Sequence, residues 1–170
     1  MKVISSTVVL LAAAGFSVSA FAGKLSHDDQ EFFKKAAVAG MTEVEAGKIA
    51  STQASDPEVR NFAQQMVTDH SGANDQLKAL ASKKGVSLPA GPGHEEQEAL
   101  AKLKAKSGHD FDEEYMERMV KDHHDAVDLF KETAEDSKDP DIKEFASKTL
   151  PTLQHHDEMA KDLEKKTDKG

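Results

Sequence analysis

The chain has 170 residues, a formal net charge of −9 and no cysteine. Such acidity argues against nucleic-acid phosphates and anionic lipid as partners, and the absence of thiols leaves packing alone to hold the fold. No Trp, one Tyr and few β-branched runs point to helices rather than sheet.

Lys2, the apolar run from Val3 to Val18 and the small-x-small step Ala20-Phe21-Ala22 read as an export signal, residues 1–22, cut after Ala22. The run is short for a membrane span, and no cysteine follows it to carry a lipid. The expected mature chain, residues 23–170, is periplasmic or secreted with no integral span. It suits one domain with its core over about 28–163.

Ser26 is placed to cap a first helix that runs to about Ala54, with Asp28, Asp29 and Glu31 in its opening turn. Its inward row reads Phe33, Ala36, Gly40, Glu43, Gly47, Ala50, Ala54. Asp56-Pro57 starts a second helix with the row Val59, Phe62, Met66, His70, Ala73, Leu77, Leu80, and Gly85 closes it. A loop follows over 86–93, then a short amphipathic helix from His94 to about Lys106. Ser107 or Asp110 opens the third long helix, with Phe111, Tyr115, Met119, His123, Ala126 and Phe130 inward. Asp139-Pro140 starts the fourth, whose row is Ile142, Phe145, Thr149, Thr152, His156, Met159, Leu163. Pro151 is expected to kink that helix near Ser147, and the charged tail from Lys165 is expected to fray.

A shift of 83 residues aligns Asp29 with Asp112, Asp56-Pro57 with Asp139-Pro140, and Phe62-Ala63 with Phe145-Ala146. Two related helical hairpins, each with an apolar stripe to bury, predict an all-α, up-down four-helix bundle with a short extra helix in the middle connection.

Within that bundle four polar residues fall on inward rows at similar heights. Glu43 lies 14 residues before Pro57 and His70 13 after it; His123 lies 17 before Pro140 and His156 16 after it. At about 1.5 Å per residue each pair is level, and the two pairs differ by roughly 4.5 Å. A buried polar group without a partner costs roughly 2–7 kcal/mol, so the layer requires an answer. One answer is a divalent metal (zinc, iron, manganese or copper) held by Glu43, His70, His123 and His156. The other is a closed Glu–His hydrogen-bond network without metal. Asp69 and Asp122 each precede an inward histidine and are candidates to orient an imidazole. His124 and His155 sit one position off the rows, at an edge, as alternates for a second metal position. Tyr115 is expected in the core with its hydroxyl on a carboxylate or water.

Glu43-Val44-Glu45, Phe62-Ala63 with Met66-Val67 and Asp69-His70, Phe111-Asp112 with Tyr115, Asp122-His123, and Leu150-Pro151-Thr152-Leu153 with His156 together resemble the domain of unknown function 4142. That family is labelled predicted outer-membrane protein and grouped with ferritin-like folds. The resemblance implies a ferritin-like bundle and an exported location, and favours His123 over His124 and His156 over His155. No barrel strand pattern is present, and no histidine has the preceding Glu-x-x of di-iron carboxylate bundles. No catalytic residue emerges, so the chain reads as a binding protein rather than an enzyme. The expected function is metal binding with a role in stress protection. A non-catalytic, chaperone-like envelope protein with a metal-free network and a histidine pH sensor are the alternatives.

Overall fold

A computed structural model describes residues 25–168. Among them are five helices and no strand: α1 His27–Gln53, α2 Pro57–Lys84, α3 His94–Lys104, α4 Gly108–Asp136 and α5 Pro140–Thr167. The expected signal segment, residues 1–22, lies outside the described residues. No described helix is long and apolar enough to cross a membrane.

Local chemistry sets the helix ends. Ser26 Oγ accepts from the Asp29 amide at 3.0 Å. Asp56 accepts from the Glu58 amide at 2.6 Å ahead of Pro57, and Asp139 accepts from the Asp141 amide at 3.0 Å ahead of Pro140. Gly85 closes α2 at φ 68°, where a side chain would be strained. The 83-residue repeat reaches the boundaries: Pro57 maps onto Pro140, Lys84 onto Thr167, and Gln53 onto Asp136. The helix therefore does not fray at Lys165. Thr167 is buried, and Lys166 pairs with Glu58 of α2.

The four long helices form a ring in which α1 touches α2 and α4, and α5 touches α4 and α2. The end of α1 meets the start of α4, where Asp112 accepts from the Ser55 amide at 2.9 Å. Likewise the end of α2 meets the start of α5, where Lys84 pairs with Asp139 and Asp141, each at 2.6 Å. Ring neighbours are thus antiparallel, and α2 and α4 run the same way. This corrects the expected alternation of direction. The reason is the connection over 85–107, which carries the chain back along the bundle before α4 begins. Val86 and Leu88 pack at one end of the core, Leu100 and Leu103 at the other, and α3 lies across α1 and α4.

The core has two halves. One gathers Phe62, Met66, Phe111, Tyr115, Met116 and Met119; the other gathers Phe32, Phe33, Phe130, Ile142 and Phe145. Phe32 and Phe130 meet edge to face at 5.1 Å. Each such side chain contributes about 1.5–3 kcal/mol by leaving water. α5 continues through Pro151, but its buried row shifts there: Leu153 and Ala160 are buried, whereas Thr152 is exposed and Met159 half-buried. The polar layer lies between the two halves.

Close packing of α1 on α2 depends on Gly47. A Cβ there would stand 2.9 Å from Val67 Cγ2 and 3.0 Å from the Ala63 carbonyl oxygen. Gly72, on the outer face of α2, has nothing within 4 Å of such a carbon. Gly47→Ala is expected to lose about 1 kcal/mol net, overpacking outweighing the better helix former. Gly72→Ala is expected to gain about 0.5–1 kcal/mol. Urea midpoints at constant m value check both signs.

Candidate metal centre

His70, His123 and His156 come from α2, α4 and α5 and are 5%, 0% and 1% exposed. Their ring centroids form a nearly equilateral triangle with sides of 5.3, 5.3 and 5.4 Å. One ring nitrogen from each lies within 4.8 Å of the other two.

Hydrogen bonds fix the tautomers. His70 Nδ1 stands 2.8 Å from Glu43 Oε2, so its proton faces the carboxylate. His123 Nδ1 stands 2.9 Å from the Met119 carbonyl oxygen one turn earlier, which can only accept. His156 Nε2 stands 3.0 Å from Asp69 Oδ2. Each imidazole therefore spends one nitrogen on an acceptor behind it. The nitrogens left over are His70 Nε2, His123 Nε2 and His156 Nδ1. The first two face each other at 3.3 Å, and the third is buried with no partner. Imidazoles backed by acceptors, two of them with their remaining lone pairs face to face and the third ring centred 5.3 and 5.4 Å away, have the arrangement of metal-ligating histidines.

The structure sorts the other expected residues. Glu43, expected among the ligands, stands behind His70; its second oxygen is unpartnered and 3.9 Å from His123 Nδ1. Asp69 holds His156, the orienting place foreseen for it. Asp122 does not reach a histidine, because Arg118 one turn earlier takes its carboxylate at 3.0 Å. His124 and His155 are exposed, His124 facing Asp128 at 3.8 Å. The Tyr115 hydroxyl is buried and reaches no carboxylate. The Met119 carbonyl had no signal in side-chain patterning, although every helical position offers an acceptor four residues back.

Burial opposes charge on Glu43 and His70, yet their mutual attraction wins: the Glu43 carboxyl is held below its ordinary range and the His70 imidazole above its own. His156 goes the other way. Burial, then the positive charge of His70, push it down to about 4 despite Asp69. Burial and the charge of Glu43 raise Tyr115; burial, against the pull of Arg118, raises Asp122.

These shifts predict an acid limb in the stability of metal-free protein. Below the ordinary imidazole value of 6.5 the unfolded chain protonates His156, while the folded chain resists until about 4. Stability contributed by neutral His156 is thus lost as pH falls through that window. His70 acts oppositely, its contribution full below 6.5 and lost as pH rises through its raised value. His156→Gln is expected to lose about 2 kcal/mol less than wild type between pH 6.5 and 4.5. Urea unfolding of chelator-treated protein at the two pH values measures the difference.

Residues 15–163 match the sequence profile of DUF4142, a domain of unknown function. The chain belongs to the DUF4142 family. No curated protein matches this DUF4142 chain. Its fold is shared with solved structures of low sequence identity. A DUF305 fragment from Deinococcus radiodurans has a TM-score of 0.74 at 11% identity, covering 85% of this chain and 99% of its own. A DUF305 protein from Streptomyces coelicolor, described as a candidate secreted protein, has a TM-score of 0.70 at 16% identity, covering 83% and 94%. CopM in its Cu(II)-bound form has a TM-score of 0.65 at 16% identity, covering 81% and 96%. At these identities the likeness concerns the fold.

Proposed function

We propose that this protein is an exported metal-binding bundle that holds one transition-metal ion at His70, His123 and His156. The observation that carries the reading is the pair of Nε2 atoms 3.3 Å apart whose partner nitrogens are already committed to Glu43 and the Met119 carbonyl. Two lone pairs at that distance repel unless a cation or a proton lies between them. Three imidazole nitrogens without thiolate suit copper or zinc better than magnesium or calcium, which prefer oxygen. Likeness to CopM in its Cu(II)-bound form supports copper. A bound ion supplies a site for storage or handover; Glu43 and Asp69 hold the imidazoles in the tautomers that present their lone pairs.

Likeness to a candidate secreted protein and the signal pattern of residues 1–22 support export of one domain, residues 23–170. The single long crossover between two antiparallel hairpins supports a ferritin-like arrangement. Stress protection fits a protein that sequesters a redox-active ion.

A specific observation also favours a metal-free network. The raised His70 imidazole, beside Glu43, can carry the proton that lies between the two Nε2 atoms. The two readings join in one equilibrium if metal displaces that proton. Titrating chelator-treated protein with Cu(II) and with Zn(II) in weak buffer tests this. Binding near one ion per chain with proton release is expected; no uptake of either, with melting unchanged by chelator, leaves the network as the function of the layer.

A further inference from the structure

The cleft between α1 and α4 is a groove of about 1110 Å³, lined by nine carboxylates against four basic side chains. Six of the acids lie on α4: Glu114, Glu117, Asp122, Asp125, Asp128 and Glu132. On so acidic a protein that excess alone would mean little. What sets this groove apart is its floor. Glu43 lines it, is 2% exposed, and keeps one oxygen without a partner while the other accepts from His70. Glu43, Ala39 and Ala126 also line a cavity of about 40 Å³ that touches His70 and His156. Two methyl groups and a carboxylate are therefore shared by the walls of the groove and of the cavity that touches His70 and His156.

From this we infer that metal ions enter through the α1–α4 groove, drawn by its carboxylates and passed inward by Glu43. The inference rests on the metal-binding reading and adds a route to it. Arg118 and Lys121 pair with Asp122 and Asp125, yet the carboxylates remain in excess, and a groove with an excess of one sign of charge concentrates counter-ions and raises their rate of encounter. The unpartnered Glu43 oxygen then offers the first buried ligand, and the imidazoles behind it hold Cu(II) or Zn(II) more tightly. The cleft on the opposite side, between α2 and α5, also touches the cavity, through Asp69, Ala73, Thr149, Thr152 and His156. It carries one carboxylate, already held by His156, and one lysine, so it has no comparable field.

Stopped-flow mixing of Cu(II) with chelator-treated, full-length mature protein tests the route, after equilibrium titration has established binding. Ala39→Leu thickens the floor without touching a ligand. It is expected to slow association and dissociation together by about 5-fold or more, leaving Kd within 2-fold, because a barrier acts on both directions equally. Should Ala39→Leu not fold, Glu117→Gln with Asp125→Asn, both on the outer wall, gives an independent reading. That pair is expected to lower the association rate about 3-fold or more at low ionic strength, with the loss vanishing in high salt. Unchanged rates in these variants, with slowing in Thr152→Leu instead, would place entry on the α2–α5 side and overturn the proposal. Absence of both Cu(II) and Zn(II) binding by wild type overturns the parent reading and the route with it; tight binding with unaltered rates overturns the route alone.

Discussion

His123→Ala is expected to abolish near-stoichiometric metal binding, with a loss of affinity of more than about 100-fold. His123 is the fully buried member of the triad, and its Nε2 faces that of His70. Removing it leaves two imidazoles and no third one in reach, since His124 on the same helix is exposed and turned toward Asp128. Changing the acceptors behind the rings is expected to do less. Glu43→Gln and Asp69→Asn each weaken binding by about 10–100-fold, because the ligands remain but lose the partners that fix their tautomers. The same ranking should appear in melting. Metal at 100 times its Kd stabilises wild type by about 2.7 kcal/mol, and His123→Ala should show no such rise. Titration calorimetry and thermal melts with and without metal measure both quantities; equal uptake by wild type and His123→Ala would exclude the triad as the site.

Asp112→Ala is expected to cost about 4 kcal/mol of stability, the largest loss foreseen for a residue outside the site. Its carboxylate is 2% exposed and accepts from the Ser55 amide at 2.9 Å, the Asp56 amide at 2.8 Å and the Ser55 hydroxyl. It sits where the α1–α2 turn meets the first turns of α4, so the positive ends of α2 and α4 both favour its charge. Truncation strips the acceptor from two amides in a turn that has no substitute. Asp29, 83 residues earlier, plays the reciprocal part, accepting from Ser137 at the α4–α5 turn and from its own cap Ser26. Both of those donors are hydroxyls that can rotate toward other acceptors, so Asp29→Ala should cost about half as much. Urea unfolding of the two variants side by side measures the ratio.

The sequence made the helices legible because α1, α2 and α5 begin with explicit signals, Ser26, Asp56-Pro57 and Asp139-Pro140, and because the apolar rows keep helical spacing. It made the site legible as far as height and row can specify: His70, His123 and His156 converge as the counting from Pro57 and Pro140 implies. Other features were written in contacts that spacing does not encode. The direction of α4 depends on where 85–107 deliver the chain, and a Pro/Gly loop with a short helix carries no such address. The roles of Glu43 and Asp122 depend on which neighbour claims the carboxylate first. For Asp122 a signal existed in Arg118 four residues earlier, a spacing that favours an ion pair along one helix face. The exchange of Thr152 for Leu153 in the buried row was readable only from which face of α5 the rest of the bundle covers.

Superposing the halves by their 83-residue offset brings out what the polar layer has done to the bundle. The counterparts of His123 and His156 are Gly40 and Ala73; those of Glu43 and His70 are Ala126 and Leu153. All four counterparts line the small cavity beside the histidines. The hollow is thus the imprint of a broken twofold: on one storey of an otherwise duplicated building, each half supplies its polar pair and the other half supplies the vacant room that lets it in.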